Sequence, residues 1–579
     1  MTSEEDTYDF IVVGAGPAGY ALAASLSRAK SKPRVLLLEA GGKNDDETKR
    51  VDGKRWTTFM EPTMNWGYKT VPQEGCSGRV IDYSRGKGLG GGSAINFGVY
   101  TVGAKDDYDA WGEKVGDEVT FGWKAMQRRF KALETFDGSI ELPEHQKYAR
   151  PDPADHGHDG PLKIGYAKEW EKDLPLILDS LEESGLQRNL DHNSGNPLGM
   201  ALMINSASGG RRTTASLFEQ RQDSDWPIPN WMIIHAPVTR TIFHNKKVIG
   251  VETRSQSGSD PKIYYATKEV ILSAGTLDTP KILMHSGIGP REDLEKYGIR
   301  VVQDLPAVGQ GMKDHFNVPL VLRRNPETND RNSFYGSEEA MSAALTQWNE
   351  DKTGPWTKYG CQIVCGWFKS DKIKTLPEFK DLDASVQDFM NRETIPQYQI
   401  ISGFPMHIML PELFQDHSYI CLLGFLMNQQ SSGEVRLQSS NLEDPLLFDP
   451  KALTHPYDQR AAIEIYRHLL EIAKHPAFAK DTVSTIHSSP SESDEDILQY
   501  WKDNTTSSWH MTGTVKMGKE GDVDAAVDNR FRVFGVEGLR VADMSVVPVM
   551  TNNHTQATAY VTGATCAEVL IREYALDEE

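Results

Sequence analysis

The sequence predicts two interleaved architectures, an α/β Rossmann-like dinucleotide-binding domain with a doubly wound sheet and an α+β substrate domain built on an antiparallel sheet. Three observations carry this. A strand, a glycine turn, a helix and a second strand follow one another within the first 40 residues. Strand patterns return at 231–275 and, in alternating form, at 434–448. The 579 residues are too many for one core, and neither a repeat nor a linker divides them.

The elements follow in chain order. Residues 8–13 (Tyr8-Asp9-Phe10-Ile11-Val12-Val13) form a short apolar strand, Ala18 to Ala29 an Ala- and Leu-rich helix, and Arg34 to Glu39 a second buried strand. A glycine-rich loop covers 86–93. From 105 to 195 the chain is polar, with helical stretches such as 122–135. Residues 231–235, 240–243, 247–253 and 269–275 read as strands, whereas 320–430 mixes polar helical stretches with aromatic residues and shows no dominant period. Residues 434–438 and 446–448 alternate as an antiparallel pair, 457–475 carries helix signals, and 556–574 makes a final helix. The expected division is 7–318 for the dinucleotide-binding region, 319–504 mainly for the substrate domain, and 425–572 for a C-terminal region. Within the last, 505–572 returns to the cofactor.

Composition narrows the function classes. With 39% hydrophobic residues, 49 Gly and 30 Pro the chain is globular and loop-rich. A net charge of −20 argues against nucleic acid and anionic membrane surfaces, which reward basic patches. The five cysteines (Cys76, Cys361, Cys365, Cys421 and Cys566) are scattered, and Cys361 with Cys365 lacks the companions a zinc site needs. No metal site is expected. No signal peptide, membrane span or peroxisomal tail is recognisable, so the expected location is the cytoplasm.

Gly14, Gly16 and Gly19, with Ala15, Pro17 and Ala18 between them, spell G-x-G-x-x-G between a strand and a helix. The first glycine allows the tight turn, the second lets the backbone approach a pyrophosphate, and the third lets helix and strand pack closely. The helix N-terminus then offers N–H groups and partial positive charge. Glu39, followed by Ala40, ends the next strand, where a carboxylate accepts ribose hydroxyls and repels a 2′-phosphate. This element binds a dinucleotide without separating FAD from NAD.

The loop Gly86-Lys87-Gly88-Leu89-Gly90-Gly91-Gly92-Ser93-Ala94-Ile95-Asn96, with Tyr100, Gly103 and Asp109 beyond it, resembles the first signature of the glucose-methanol-choline (GMC) oxidoreductases, which use FAD. Residues 275–289, from Gly275-Thr276-Leu277-Asp278 to Gly287-Ile288-Gly289, resemble the second. The likeness continues through Leu305-Pro306-Ala307-Val308-Gly309-Gln310 and Asp314-His315 and resumes in the C-terminal third. It implies that Pro17 and Ala18 lie against the pyrophosphate, Glu39 on the ribose and the Val238 backbone near the adenine. Gly90, Gly91, Gly92, Asn96, Phe97 and Val99 would lie along the flavin, and Asp543, Thr555 and Gln556 would complete the cofactor site. Some relatives attach FAD through a His at the position of Ile95. Ile95 has no nucleophile, so non-covalent FAD is expected.

The resemblance also implies the reaction. His510, in Trp509-His510-Met511, matches the histidine that accepts the alcohol proton as hydride passes to the flavin; a pKa near neutrality suits that task. His554 matches a second position, His or Asn in relatives, that hydrogen-bonds the substrate oxygen. The pair is most like that of aryl-alcohol oxidases. Val515 and Met511-Thr512 depart from the family's usual residues and leave the pocket's shape open. The expected partners are a small-molecule alcohol and either O2 or a quinone-type acceptor. The alternative is a non-redox FAD-containing lyase or cyclase, or a light-driven decarboxylase, of the same family. Trp356, Tyr359, Trp367 and Phe368 line a substrate entrance in one reading and a core in the other.

Overall fold

The computed structural model describes residues 6–219, 231–254, 261–358, 363–403, 413 and 418–578. Its first sheet is built around β1 (Thr7–Val13) and β2 (Val35–Glu39), which run parallel in register from Phe10↔Val35 to Val13↔Leu38. Phe10 to Val12 and Val35 to Leu37 are fully buried, as an apolar run covered on both faces must be. β3 (Trp231–His235) extends the sheet in parallel beyond β2. An antiparallel extension follows from β4 (Val238–His244), β5 (Lys247–Thr253) and the N-terminal half of β6 (Lys262–Leu272). The C-terminal half of β6 pairs in parallel with β1 on one side and with the strand Leu539–Val541 on the other. The last strand of the expected group therefore starts seven residues earlier, at Lys262 rather than Glu269, and ends at Leu272.

Two helices aim at the C-terminal edge of these strands. α1 (Pro17–Ser27) opens with Pro17 in its first turn, a position where the missing N–H costs nothing. α2 (Gly275–His285) follows β6 directly.

The second sheet is antiparallel throughout, as the sequence predicts. Its order is β8 (Val364–Phe368), β9 (Tyr398–Ser402), β10 (Tyr419–Leu426), β7 (Phe316–Arg324) and β11 (Thr482–His487), with Thr506–Ser507 pairing the start of β7. Three of these strands come from 320–430. Every residue of β9 and β10 is buried, so neither alternates and neither shows the period that reveals a half-exposed strand. α3 (Pro456–Lys474) lies across β10 at Gly424, where an added methyl would sit 2.9 Å from Ile465 Cγ2. The expected pair at 434–448 forms as Gly433–Arg436 with Leu447–Asp449, in a small separate sheet with Gln310–Met312.

The final helix α4 (Gln556–Glu573) returns to the first sheet and packs on α1. Gly563 makes this possible, because a Cβ there would lie 2.0 Å from the Ala18 carbonyl oxygen. Among the described residues no helix is long and apolar enough to cross a membrane. The described cysteines are buried, and Cys361 lies outside the described residues.

Candidate active site

A cavity of about 980 Å³ runs from the glycine turn after β1 to His510 and His554. At the turn, the three glycines divide their tasks. Gly14 has φ +102°, and a side chain there would strike the Ser273 carbonyl. A Cβ on Gly19 would sit 1.9 Å from the Gly14 oxygen, whereas Gly16 faces open space. Gly91 approaches so closely that its Cβ would lie 2.8 Å from Gly16 Cα. The wall at this end is therefore bare backbone. α1 starts here with no side-chain cap, so its N-terminal N–H groups face the cavity end, whereas α4, also uncapped, starts two residues after His554.

Glu39 lines the cavity and accepts three backbone N–H bonds, from Ala15 (2.9 Å), Gly41 (2.8 Å) and Gly88 (3.0 Å). It thus ties the glycine turn to the 86–93 loop, a structural task not visible in the motif. Asp543 joins the C-terminal segment to α2. Its Oδ2 accepts from Gly275 N and Thr279 Oγ1, and its Oδ1 from Ser545 N. Asn96 accepts from Arg55 and donates to Gln556 Oε1. Pro17, Ala18, Ala40, Gly92, Phe97, Val99, Val238 and Thr555 also reach the wall, as does Ile95. Ala15, Gly19 and Gly90 stand behind it and shape it through backbone bonds such as Gly90 N to Ala15 O.

At the other end the rings of His510 and His554 stand perpendicular, centroids 4.7 Å apart. Asp314 places the first: its Oδ1 accepts the His510 N–H at 2.8 Å, and Ser507 Oγ donates to its Oδ2. Burial pushes the Asp314 carboxyl up to about 6, against the hydroxyls of Ser507 and Tyr83. Arg85 donates to the Trp509 carbonyl at 2.8 Å, and Trp509 itself takes φ +59°. Nδ1 of His510 lies 3.1 Å from Nδ1 of His315. Burial, then the proximity of His554, His315 and Arg85, holds His510 well below its ordinary pKa. Burial, and then His192, pushes His554 down to about 3. Both rings are neutral at physiological pH.

His554 is seated on the second sheet. The Gln399 amide Nε2 lies 3.0 Å from its Nε2, and Trp367 and Phe425 meet it edge-on at 6.4 and 6.1 Å. Phe59, Phe97, Trp509, Ile401 and Leu423 add apolar surface to the cavity lining, and Asn317, Thr506 and Ser508 add polar groups. Phe59 meets Trp509 edge-on, ring centroids 4.7 Å apart.

Three of the four aromatic residues considered for an entrance are not part of the cavity wall. Trp356 packs on Phe334 at 4.8 Å in a separate cluster, Trp367 supports His554 from behind, and Phe368 packs on Tyr398 at 5.4 Å. Tyr359 lies outside the described residues. Apolar aromatic rings bury wherever the sheet offers a face, so their density in 356–368 marked a core. Sequence reasoning also missed Gln399, Arg85 and Asp107, and gave no role to His315 although it read the Asp314-His315 pair.

Two family models, both described as GMC oxidoreductase, match residues 8–317 and 429–563. Pyranose dehydrogenase 3 of Leucoagaricus meleagris is 30% identical over 98% of this chain and 93% of its own length. Alcohol dehydrogenase (acceptor) of Pseudomonas putida is 29% identical over 98% of this chain and 96% of its own. A solved fungal aryl-alcohol oxidase superposes with a TM-score of 0.83 at 24% identity, covering 98% of this chain and 100% of its own, a likeness of fold.

Proposed function

Because the chain belongs to the GMC oxidoreductase family, whose members bind FAD, we propose that it oxidises a primary or secondary alcohol, with His510 as proton acceptor. The carrying observation is the perpendicular His510–His554 pair at the far end of a cavity that begins at a dinucleotide turn. The residues at that turn fit the cofactor: a side-chain-free wall at Gly16 and Gly91, the uncapped N-terminus of α1 for a pyrophosphate, and a carboxylate at Glu39. Three of the roughly four acceptor sites of Glu39 are used within the chain, which leaves one direction for a ribose hydroxyl. Val238 would lie by the adenine, Asn96 and Val99 along the isoalloxazine, and Asp543, Thr555 and Gln556 would close the site.

Bound FAD supplies an acceptor for the hydride leaving the alcohol carbon. The chain's own residues handle the proton. His315 engages Nδ1 of His510, which leaves Nε2 for the substrate. For a neutral His510 to present a lone pair there, Nδ1 carries the ring proton and donates to His315. The alcohol gives its hydroxyl proton to His510 Nε2 and becomes a carbonyl compound, while His554 hydrogen-bonds the same oxygen. The two electrons then pass to O2 or a quinone-type acceptor. Phe59, Phe97 and Phe425 give an alcohol with an apolar or aromatic body a surface to pack on, while Asn317, Thr506, Ser508 and the Trp509 indole N–H are the groups a further hydroxyl could meet.

The test is anaerobic bleaching of the bound flavin by a panel containing a benzylic alcohol, an aliphatic alcohol and glucose. Bleaching by the benzylic alcohol supports the reading; no bleaching by any alcohol moves a non-redox lyase or cyclase ahead.

A further inference from the structure

We propose that Gln399 sets the tautomer of His554, so that this ring presents an N–H, and not a lone pair, to the alcohol oxygen. The proposal rests on the assignment of the His510–His554 pair as the reacting site. It concerns which of two similar rings can be the base.

Cross-strand geometry carries it. Gln399 lies in β9, directly opposite Trp367 of β8 and Phe425 of β10. Residues directly opposite one another share a face of the sheet, so the three form a row, and all three meet His554. Phe425 has no hydrogen-bonding group, and the Trp367 indole N–H makes no bond to His554. Gln399, itself only 1% exposed, is the polar member.

The bond it makes is directional. The amide nitrogen faces His554 Nε2 at 3.0 Å. An NH2 group has no lone pair to offer, so it donates and the ring nitrogen accepts. A neutral imidazole has one bare nitrogen. With Nε2 bare, the proton sits on Nδ1, the atom left to reach the substrate. For His510 the proposed role as base requires the converse, its Nδ1–H donating to His315 and its Nε2 bare. The alcohol oxygen thus meets one acceptor and one donor, and the pair acquires distinct roles from two residues that touch no substrate. Gln399 is a positioning residue.

The charged and titratable neighbours of His554 act in the same direction. His510 faces it at 4.7 Å, and His192, on the far side of Trp367 at 5.8 Å, is another buried imidazole held neutral by burial. Thr101, which accepts the His554 backbone N–H, is uncharged. Among the described residues no carboxylate is recorded against the ring, so none of them stabilises an imidazolium there.

The test combines ring-nitrogen NMR on ¹⁵N-histidine protein with stopped-flow flavin reduction, the His554 resonance being identified by its loss in His554→Asn. In the wild type, Nδ1 should be protonated and Nε2 bare from about pH 5 to 9. Gln399→Glu replaces a donor with an acceptor; both nitrogens should then be protonated at neutral pH, and reduction should gain an alkaline fall that the wild type lacks. Gln399→Met should mix the tautomers and slow reduction at saturating alcohol by roughly 2- to 12-fold, the worth of one neutral hydrogen bond, with flavin content kept. A wild-type His554 protonated at Nε2, or a Gln399→Glu pH profile that superimposes on the wild type, overturns the proposal. If the variants fail to fold, the wild-type spectrum alone decides. A wild type that no alcohol reduces sinks the alcohol-oxidation reading, while the spectrum still judges the tautomer.

Discussion

Asp107 grips Asn552 at two points, accepting its backbone N–H at 2.7 Å through Oδ2 and its side-chain Nδ2 at 2.6 Å through Oδ1. The contact joins the first turn of the helix Lys105–Val115 to the loop that ends in His554. Asn553 Nδ2 bonds the Thr101 carbonyl at 3.0 Å, and the His554 N–H bonds Thr101 Oγ1 at 2.8 Å. The second histidine is thus positioned by residues more than four hundred positions earlier in the chain.

Asp107→Asn turns an NH2 group toward the NH2 of Asn552 or leaves the backbone N–H unmet. A buried donor left unsatisfied costs about 1–3 kcal/mol. Lower stability by that amount in urea and slower flavin reduction, with FAD retained, are expected. Unchanged reduction kinetics would mean that His554 is held by Thr101 and Gln399 alone.

The same carboxyl gives a pH signature. Burial raises Asp107 to about 7 in the folded chain, against its hydrogen bonds from Asn552. Unfolded, it loses its proton near pH 3.9. Between these values the folded state binds the extra proton, so this group's contribution to stability is full below about pH 4 and is lost as pH rises through about 7. Asp107→Asn should flatten that part of the stability–pH curve. A slope identical to the wild type would place the ionisation elsewhere.

The kinetic pH profile follows from His510. A base must be neutral to accept a proton, and burial with three cationic or titratable neighbours lowers its pKa. Flavin reduction should therefore stay level across neutral pH and fall only well below 6.5. An acid limb centred near 6.5 would describe a solvated imidazole and contradict the buried geometry.

Glu39→Gln should weaken FAD binding by about 1.5–3 kcal/mol, the worth of a charge-assisted bond. Because the carboxylate also holds Ala15, Gly41 and Gly88, apoprotein stability should fall with it. Equilibrium titration of apoprotein with FAD and thermal melting separate the two losses. Full FAD affinity in a destabilised variant would confine Glu39 to its backbone contacts.

The flavin should leave with acid or heat, because Ile95 lines the cavity where attachment would need a nucleophile. Yellow colour remaining in the precipitated protein would contradict this.

Much of the site was legible because its chemistry is local. Gly14, Gly16 and Gly19 sit in one turn, and a turn is written in consecutive residues. His510 and His554 were readable from flanking motifs. Gln399 was not, because its role depends on the register of β8, β9 and β10, and strands buried along almost their whole length show no alternation. Asp107 was hidden for a related reason: nothing near residue 107 says that residue 552 folds back on it. Trp356 misled because an aromatic cluster reads the same in a core and in an entrance.

Stopped-flow reduction of enzyme-bound flavin by a saturating alcohol, without oxygen and with a carbinol-deuterated control, tests the central claim most directly. If His510 accepts the proton, His510→Ala should slow hydride transfer by roughly 10²–10⁴-fold with FAD still bound. His554→Asn, which keeps a donor, should be milder than His554→Ala. A His510→Ala enzyme that reduces its flavin at the wild-type rate would contradict the account and make His554 the acceptor.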